Sequence, residues 1–112
     1  MALNTPNTIE SLKIACAEKG WDGYDAEPMP EIIFKKAEAI EPYIPKCFEL
    51  FPGADNSLQW EWNEYRKNDV WFIIEVYEDR YYFTTRGNDR YFTDTNEFIE
   101  YLKKEIPECL NG

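Results

Sequence analysis

The feature that most constrains the fold is a change in hydrophobic periodicity after residue 46. Beyond that point, apolar side chains recur at every second position in short runs that stop at turn-forming residues. A period of two is typical of β-strands, and the runs follow one another too closely for helices to connect them. Because consecutive strands with short turns pair as an antiparallel meander, we predict one such sheet in the second half of the chain.

The alternation sets the expected strand boundaries. It predicts strands at residues 47–51, 57–65, 70–77, 80–85 and 90–93. The first strand is expected to stop at Pro52-Gly53, and Asp55-Asn56 is expected to turn the chain. Gly87-Asn88 is typical of a tight hairpin turn between the last two strands.

The first third of the chain has helical rather than strand periodicity. Apolar residues predict a helix at about residues 8–19, begun by a capping-box-like pair of Asn7 and Glu10. A second helix is expected to start at Pro30, which suits the first helical position, and to end before Pro42.

The C-terminal part predicts one more helix at residues 95–105, with Asp94 as its N-cap and Glu97 three residues further on. The fold class is therefore α+β, with two N-terminal helices, an antiparallel meander of four or five strands and one C-terminal helix. A chain of 112 residues with 44% hydrophobic residues indicates a single domain with its own core.

The charge bears on the choice of partners. The formal net charge is −10, and the acidic residues are spread evenly along the chain. Direct binding to nucleic acid is not expected, because phosphate contacts need clustered Lys and Arg. Two interpretations remain open: the charge provides solubility, or it attracts a basic partner, for example by mimicking nucleic acid.

Several kinds of active site are excluded by composition. The chain has no histidine, so Ser-His and Cys-His pairs and Cys/His zinc sites are ruled out, and no cofactor is expected. No glycine-rich phosphate loop is present. Cys16, Cys47 and Cys109 match no CxxC motif and predict free thiols in the cytoplasm. No signal peptide is expected, because residues 1–6 offer neither a charged n-region nor an apolar h-region. No membrane span is expected, since the longest apolar run, residues 70–74, is far too short.

Carboxylates are the remaining candidates for chemistry. Asp22, Asp25 and Glu27 lie close together in one loop, and Glu61 lies on a predicted strand. Carboxylates bind Mg²⁺ or Ca²⁺, so a metal-dependent hydrolase is an alternative function. The loop lacks the EF-hand pattern, and bonding of Asp22 to its own turn is the simpler interpretation.

Aromatic residues are more numerous than a small core needs, at 17% of the chain. The strand predicted at 70–77 has apolar residues on both faces, whereas a half-solvated antiparallel strand alternates apolar and polar ones. Either helices cover both faces, or one face is an interface. In the second case, the platform and its rim consist of Trp71, Ile73, Tyr77, Tyr82, Glu61 and Glu75.

One loop and two strands resemble a group of small bacterial proteins. Residues 20–28, Gly-Trp-Asp-Gly-Tyr-Asp-Ala-Glu-Pro, are similar to the GWDGYxAxP opening of that group. Residues 55–62 and 72–76 correspond to its DGxIxLEW strand and its following strand rich in Ile, Val and Glu, with Asn56 in place of Gly. The resemblance implies a bacterial, phage or mobile-element origin and brings no active site.

This resemblance also bears on the loop. Trp21 and Tyr24 are interpreted as packing anchors that fix the loop to the sheet. A loop held in this way presents Asp22, Asp25 and Glu27 to a partner.

Three functions follow from these observations. The first is a non-enzymatic module that binds another protein with a basic surface, in the manner of an antitoxin or a phage-encoded inhibitor. The alternatives are the carboxylate-based hydrolase and a purely structural homodimer closed by the aromatic face.

Overall fold

The structure is a computed structural model that describes residues 7–21, 27–53, 55–64, 70–85 and 88–106. These residues form three α-helices, one 3-10 helix and five strands. Their order is α1 (Ile9–Ala15), α2 (Glu31–Ile40), η1 (Glu41–Tyr43), β1 (Glu49–Gly53), β2 (Ser57–Glu64), β3 (Val70–Val76), β4 (Tyr81–Thr85), β5 (Asn88–Phe92) and α3 (Thr95–Glu105).

The strands form one sheet in the order β1-β2-β3-β4-β5, and every neighbouring pair is antiparallel. The predicted meander and the α+β class are therefore confirmed. The turn between β1 and β2 contains Asn56 at φ 62°, the left-handed conformation that asparagine tolerates better than most residues. No helix in the described part of the chain is long and apolar enough to cross a membrane.

The helices pack against one face of the sheet, which we call the covered face. Burying each large apolar side chain between these layers stabilises the fold by about 1.5–3 kcal/mol. The fully buried members of this core include Ile33, Ile40, Leu58, Ile74, Tyr81, Phe83, Phe98 and Leu102. Phe98 links the two layers, since its ring centroid lies 4.7 Å from that of Tyr81.

The N-terminal region departs from the prediction of two helices with an Asn7 cap. Thr8 is the N-cap of α1: its hydroxyl accepts a hydrogen bond from the Ser11 backbone N–H, and the Ser11 hydroxyl accepts one from the Thr8 N–H. Helix α1 ends at Ala15, because the chain turns back and the Met29 N–H bonds the carbonyl of Cys16. A third helical segment, η1, extends α2 before the sheet begins.

Strands β1 and β5 also differ from expectation. Strand β1 runs through Pro52-Gly53, which was predicted to stop it. Proline is tolerated there because β1 is an edge strand, where an outward position needs no N–H donor. Strand β5 begins at Asn88, two residues before its predicted start, so Asn88 pairs with Thr85 instead of forming only a turn.

Candidate functional site

The second face of the sheet lies away from the helices, and we call it the open face. No residue on it belongs to the buried core, and Phe51 and Tyr91 are 38% and 62% exposed. The interpretation that helices cover both faces therefore fails for the described part of the chain. The open face consists of Glu49, Phe51, Gln59, Glu61, Trp71, Ile73, Glu75, Tyr77, Tyr82, Thr84, Asp89 and Tyr91.

The strand register arranges the open face in two rows that cross the sheet. In each row, every residue is directly opposite the next one on the neighbouring strand. The first row is Phe51, Gln59, Glu75, Tyr82 and Tyr91. The second row is Glu49, Glu61, Ile73, Thr84 and Asp89. Aromatic rings are thus concentrated in the first row, and acidic residues lie at both ends of the second.

The tyrosines of the open face are held by specific contacts. The ring centroids of Tyr82 and Tyr91 are 4.7 Å apart. The guanidinium of Arg80, at the start of β4, lies 4.3 Å from the ring centroid of Tyr77 and 5.6 Å from that of Tyr91. The Tyr77 hydroxyl donates a hydrogen bond of 2.6 Å to Glu75. These contacts hold the three tyrosine rings in fixed orientations.

The ionisation of Tyr77 follows from its surroundings. Burial raises the pKa of its phenol well above the ordinary value of 10.0, and the hydrogen bond to the Glu75 carboxylate raises it further. Burial also raises the pKa of Tyr82. Both phenols are therefore neutral hydrogen-bond donors at physiological pH.

Carboxylates dominate the electrostatics of the open face. Glu49 and Glu61 are directly opposite each other on adjacent strands, an arrangement of like charges that destabilises a sheet. At the other end of the same row, Asp89 accepts a 2.6 Å hydrogen bond from Thr84. No Lys or Arg occupies a strand position of this face in the residues that the structure describes. The open face can therefore accept hydrogen bonds and ion pairs from an incoming cation.

A groove of about 750 Å³ continues this acidic surface at one end of the sheet. It lies where the β1–β2 turn and the β3–β4 turn come together. Its lining residues are Asp55, Asn56, Tyr77, Glu78, Asp79 and Arg80. The charge of Arg80 is partly compensated there, because its guanidinium pairs with Asp79 at 2.8 Å.

Six of the residues selected from the sequence do lie together on the open face: Glu61, Trp71, Ile73, Glu75, Tyr77 and Tyr82. Glu27 does not, because it belongs to the helical layer. Its carboxylate lies 3.6 Å from Lys19, and its carbonyl accepts a hydrogen bond from Trp21, which packs against the core. Asp22, Asp25 and the proposed anchor Tyr24 lie outside the described residues.

Sequence reasoning missed part of this surface, namely Glu49, Phe51, Asp89 and Tyr91, and also Arg80, which precedes β4 and contacts the rings of Tyr77 and Tyr91. The signal that identifies Tyr91 and Asp89 is the alternation within β5. Phe92 faces the core, so residues 89 and 91 must face the other way.

The described carboxylates do not gather into a metal site. Among the residues that the structure describes, no group of three or more Cys, Asp or Glu side chains is placed to hold a metal ion. Glu27 and Glu61, the two described members of the predicted hydrolase set, lie on different layers of the molecule.

Comparison of the chain with protein-family models, curated proteins and solved structures finds no match. The geometry and the charge of the open face are therefore the observations from which a function is inferred.

Proposed function

We propose that this protein is a non-enzymatic binding module that holds a basic surface of another protein against its open face. The observation that carries the proposal is the contrast within one sheet. The covered face is packed by helices, while the open face carries the ring pair of Tyr82 and Tyr91 beside carboxylates that have no Lys or Arg partner among the described residues.

The side chains of the open face suit a cationic partner. Tyrosine and tryptophan are enriched among the residues that contribute most to protein interfaces. Their rings also attract Lys and Arg through cation–π contact, as Tyr77 already attracts Arg80 within the chain. Carboxylates next to those rings add charge-assisted hydrogen bonds to the same cations. A partner's Lys or Arg next to Glu61 also relieves its repulsion with Glu49.

The charge disfavours two other occupants. A homodimer closed by two open faces would bring together the four carboxylates Glu49, Glu61, Glu75 and Asp89 of each copy. Nucleic acid would bring phosphates to the same surface. Each copy also carries a net charge of −10, which opposes self-association.

A module of this kind acts by occupying a basic surface that its partner needs. That is how an antitoxin or a phage-encoded inhibitor works, and we propose this class of role. It accords with the similarity of residues 20–28 to small bacterial accessory and mobile-element proteins, which remains a prediction.

The test is site-specific photo-crosslinking in cells of the native host. Photoreactive benzoylphenylalanine replaces Tyr91 on the open face in one variant. In the control variant it replaces Tyr43 of η1, which lies on the helical side and is 40% exposed. Both changes exchange one exposed aromatic residue for another, so neither disturbs the core. Cross-linked peptides are then identified by mass spectrometry.

We expect position 91 to form adducts with one other protein, through a segment rich in Lys and Arg, while position 43 does not. Equal adducts from both positions would contradict the proposal. So would adducts only with copies of this chain, adducts with a non-basic segment, or no adduct at position 91.

A further inference from the structure

The two outer edges of the sheet differ in their backbone groups. In an antiparallel ladder, residues alternate between bonding the neighbouring strand and pointing away from it. The hydrogen bond from the Tyr77 N–H to the Arg80 carbonyl, 2.8 Å long, fixes that alternation between β3 and β4. By the same alternation, the backbone groups of Tyr82 and Thr84 point toward β3. Those of Tyr81, Phe83 and Thr85 point toward β5.

The edge formed by β1 is closed to further pairing. The carbonyl of Leu50 points outward, where it accepts a 2.9 Å hydrogen bond from the side-chain amide of Asn7. Pro52, the next outward residue, has no N–H to donate. A side-chain cap and an edge proline are two ways in which proteins block the addition of another strand.

The edge formed by β5 lacks both protections. The β4 residues whose backbone groups point toward β5 lie directly opposite Phe92, Arg90 and Asn88. Asp89 and Tyr91 therefore direct their backbone N–H and C=O groups outward. In the described part of the chain, no group hydrogen bonds to these outward backbone atoms. Tyr91 is also part of the open face, so this edge continues the proposed binding surface.

We propose that β5 is a strand-addition site, where a basic, extended segment of the partner pairs with the backbone of Asp89 and Tyr91. This inference rests on the proposed function and specifies how the partner docks. Main-chain hydrogen bonds supply affinity in this binding mode, and alternate side chains supply specificity.

The side chains of β5 define the sequence pattern of the segment. On the open face, every second residue of the added strand lies next to Asp89 or Tyr91. A Lys or Arg there pairs with the Asp89 carboxylate, while the Tyr91 ring already has the Arg80 guanidinium 5.6 Å from its centroid. On the other face it meets Arg90, whose guanidinium lies 5.3 Å from the ring centroid of Phe92 and 5.2 Å from that of Tyr101. The segment therefore alternates basic and non-basic residues.

A second copy of this chain fits the edge poorly. An antiparallel β5–β5 pair centred on residue 90 places the Arg90 side chains of both copies opposite each other. A pair centred on residue 89 opposes the two Asp89 side chains in the same way. Like charges directly opposite each other destabilise a strand pair, so these two registers are disfavoured. In any register, the net charge of −10 on each copy opposes the pairing of two copies and favours a separate basic segment.

The experiment uses the full chain and a synthetic Lys-Thr repeat of about eight residues, a typical strand length. Backbone amide exchange is measured by NMR with and without saturating peptide. One control peptide has Glu in place of Lys. A second keeps every Lys and Thr but carries N-methyl groups on alternate backbone amides, which prevents strand pairing. The outward amide of Leu50 on the protected β1 edge is the internal control.

We expect the Lys-Thr peptide to slow exchange of the Asp89 and Tyr91 amides by about tenfold or more, with no change at Leu50. Neither control peptide should do so. Tyr91→Pro, which removes one outward N–H, should weaken peptide binding by about tenfold. If that variant does not fold, the exchange data on the unmodified chain decide the matter.

Unchanged exchange at Asp89 and Tyr91 would overturn strand addition, and so would equal protection by the N-methylated peptide. Peptide-induced chemical-shift changes at Trp71 and Ile73, without slower amide exchange at Asp89 and Tyr91, would overturn strand addition alone. The open face would in that case still bind the lysines of the peptide. Failure of the proposed function itself is recognised separately, by the absence of a basic adduct at position 91.

Discussion

The two faces of this sheet are built from the same strands, yet their side chains have different surroundings. On the covered face, Ile74 lies between Trp60 and Phe83, and all three are buried under the helices. On the open face, Ile73, one residue away, lies between Glu61 and Thr84. Apolar content alone therefore does not identify a core. The position of a strand residue decides whether it packs into the core: Ile74 lies under the helices, and Ile73 does not.

The faces also differ in their electrostatics. On the covered face, the buried Tyr81 hydroxyl hydrogen bonds with Thr95 at 2.8 Å. The open face instead keeps Glu49 and Glu61 opposed, with no cation between them in the described chain. A local arrangement that opposes stability is expected at sites that serve function.

The largest expected effect comes from truncating the same side chain on either face. Ile74→Ala should lower the free energy of unfolding by about 2–5 kcal/mol, because it leaves a cavity in a packed core. Ile73→Ala should lower it by about 1 kcal/mol or less. No layer of the described chain packs over Ile73, so the truncation leaves no enclosed cavity. Urea denaturation followed by tryptophan fluorescence measures both variants. Equal losses would show that the open face is packed as well as the covered face.

A smaller effect is expected from the tyrosine that is bonded to Glu75. The pKa of Tyr77 is higher in the folded state than in the unfolded chain. As the pH rises above 10, the phenol therefore loses its proton more readily in the unfolded chain, which shifts the equilibrium toward unfolding. The stability that Tyr77 contributes is thus complete below pH 10 and is lost as the pH rises further. Solvent screening at this partly exposed site keeps the change to about 1 kcal/mol or less.

Tyr77→Phe isolates this contribution, because the other tyrosines remain. Unfolding free energies measured from pH 8 to pH 11 should fall less steeply for the variant than for the unmodified protein. Identical slopes would mean that the phenol ionises alike in the folded and unfolded chains.

The smallest effect is a gain in stability on the open face. Glu61→Gln keeps the size of the side chain and removes the repulsion with Glu49, so it should raise the free energy of unfolding by about 0.2–1 kcal/mol. Added salt should shrink the difference from the unmodified protein, since exposed charges are screened. Thermal denaturation at low and high salt measures both. A loss of stability would show that Glu61 serves the fold.

Local patterns predicted most of the fold. The period of two predicted the ends of β2, β3 and β4 to within one residue. Asp94 and the apolar stripe that follows it predicted the bounds of α3. Caps were less predictable, because Asn7 and Thr8 are both good N-caps and only the contact of Asn7 with Leu50 decides between them. The extension of β1 through Pro52 likewise depends on its place at the sheet edge.

The candidate site was predictable only in part, for a related reason. Alternation in β3 identified the two faces, but which face the helices cover is set by tertiary packing. Alternation within β5 is enough to place Tyr91 on the open face, but its position opposite Tyr82 depends on the strand register, which the sequence does not fix. Glu27 was included because of proximity in sequence, and its contacts with Lys19 and Trp21 place it in the helical layer instead.

Binding of a basic partner by the open face is tested by the yield of cross-linking from position 91 in two charge-reversed backgrounds. Glu61→Lys reverses a charge on the open face, and Glu18→Lys makes the same change on an exposed residue after α1. We predict that adducts with the basic partner fall by about tenfold or more with Glu61→Lys and stay unchanged with Glu18→Lys. Equal yields in the two backgrounds would contradict it.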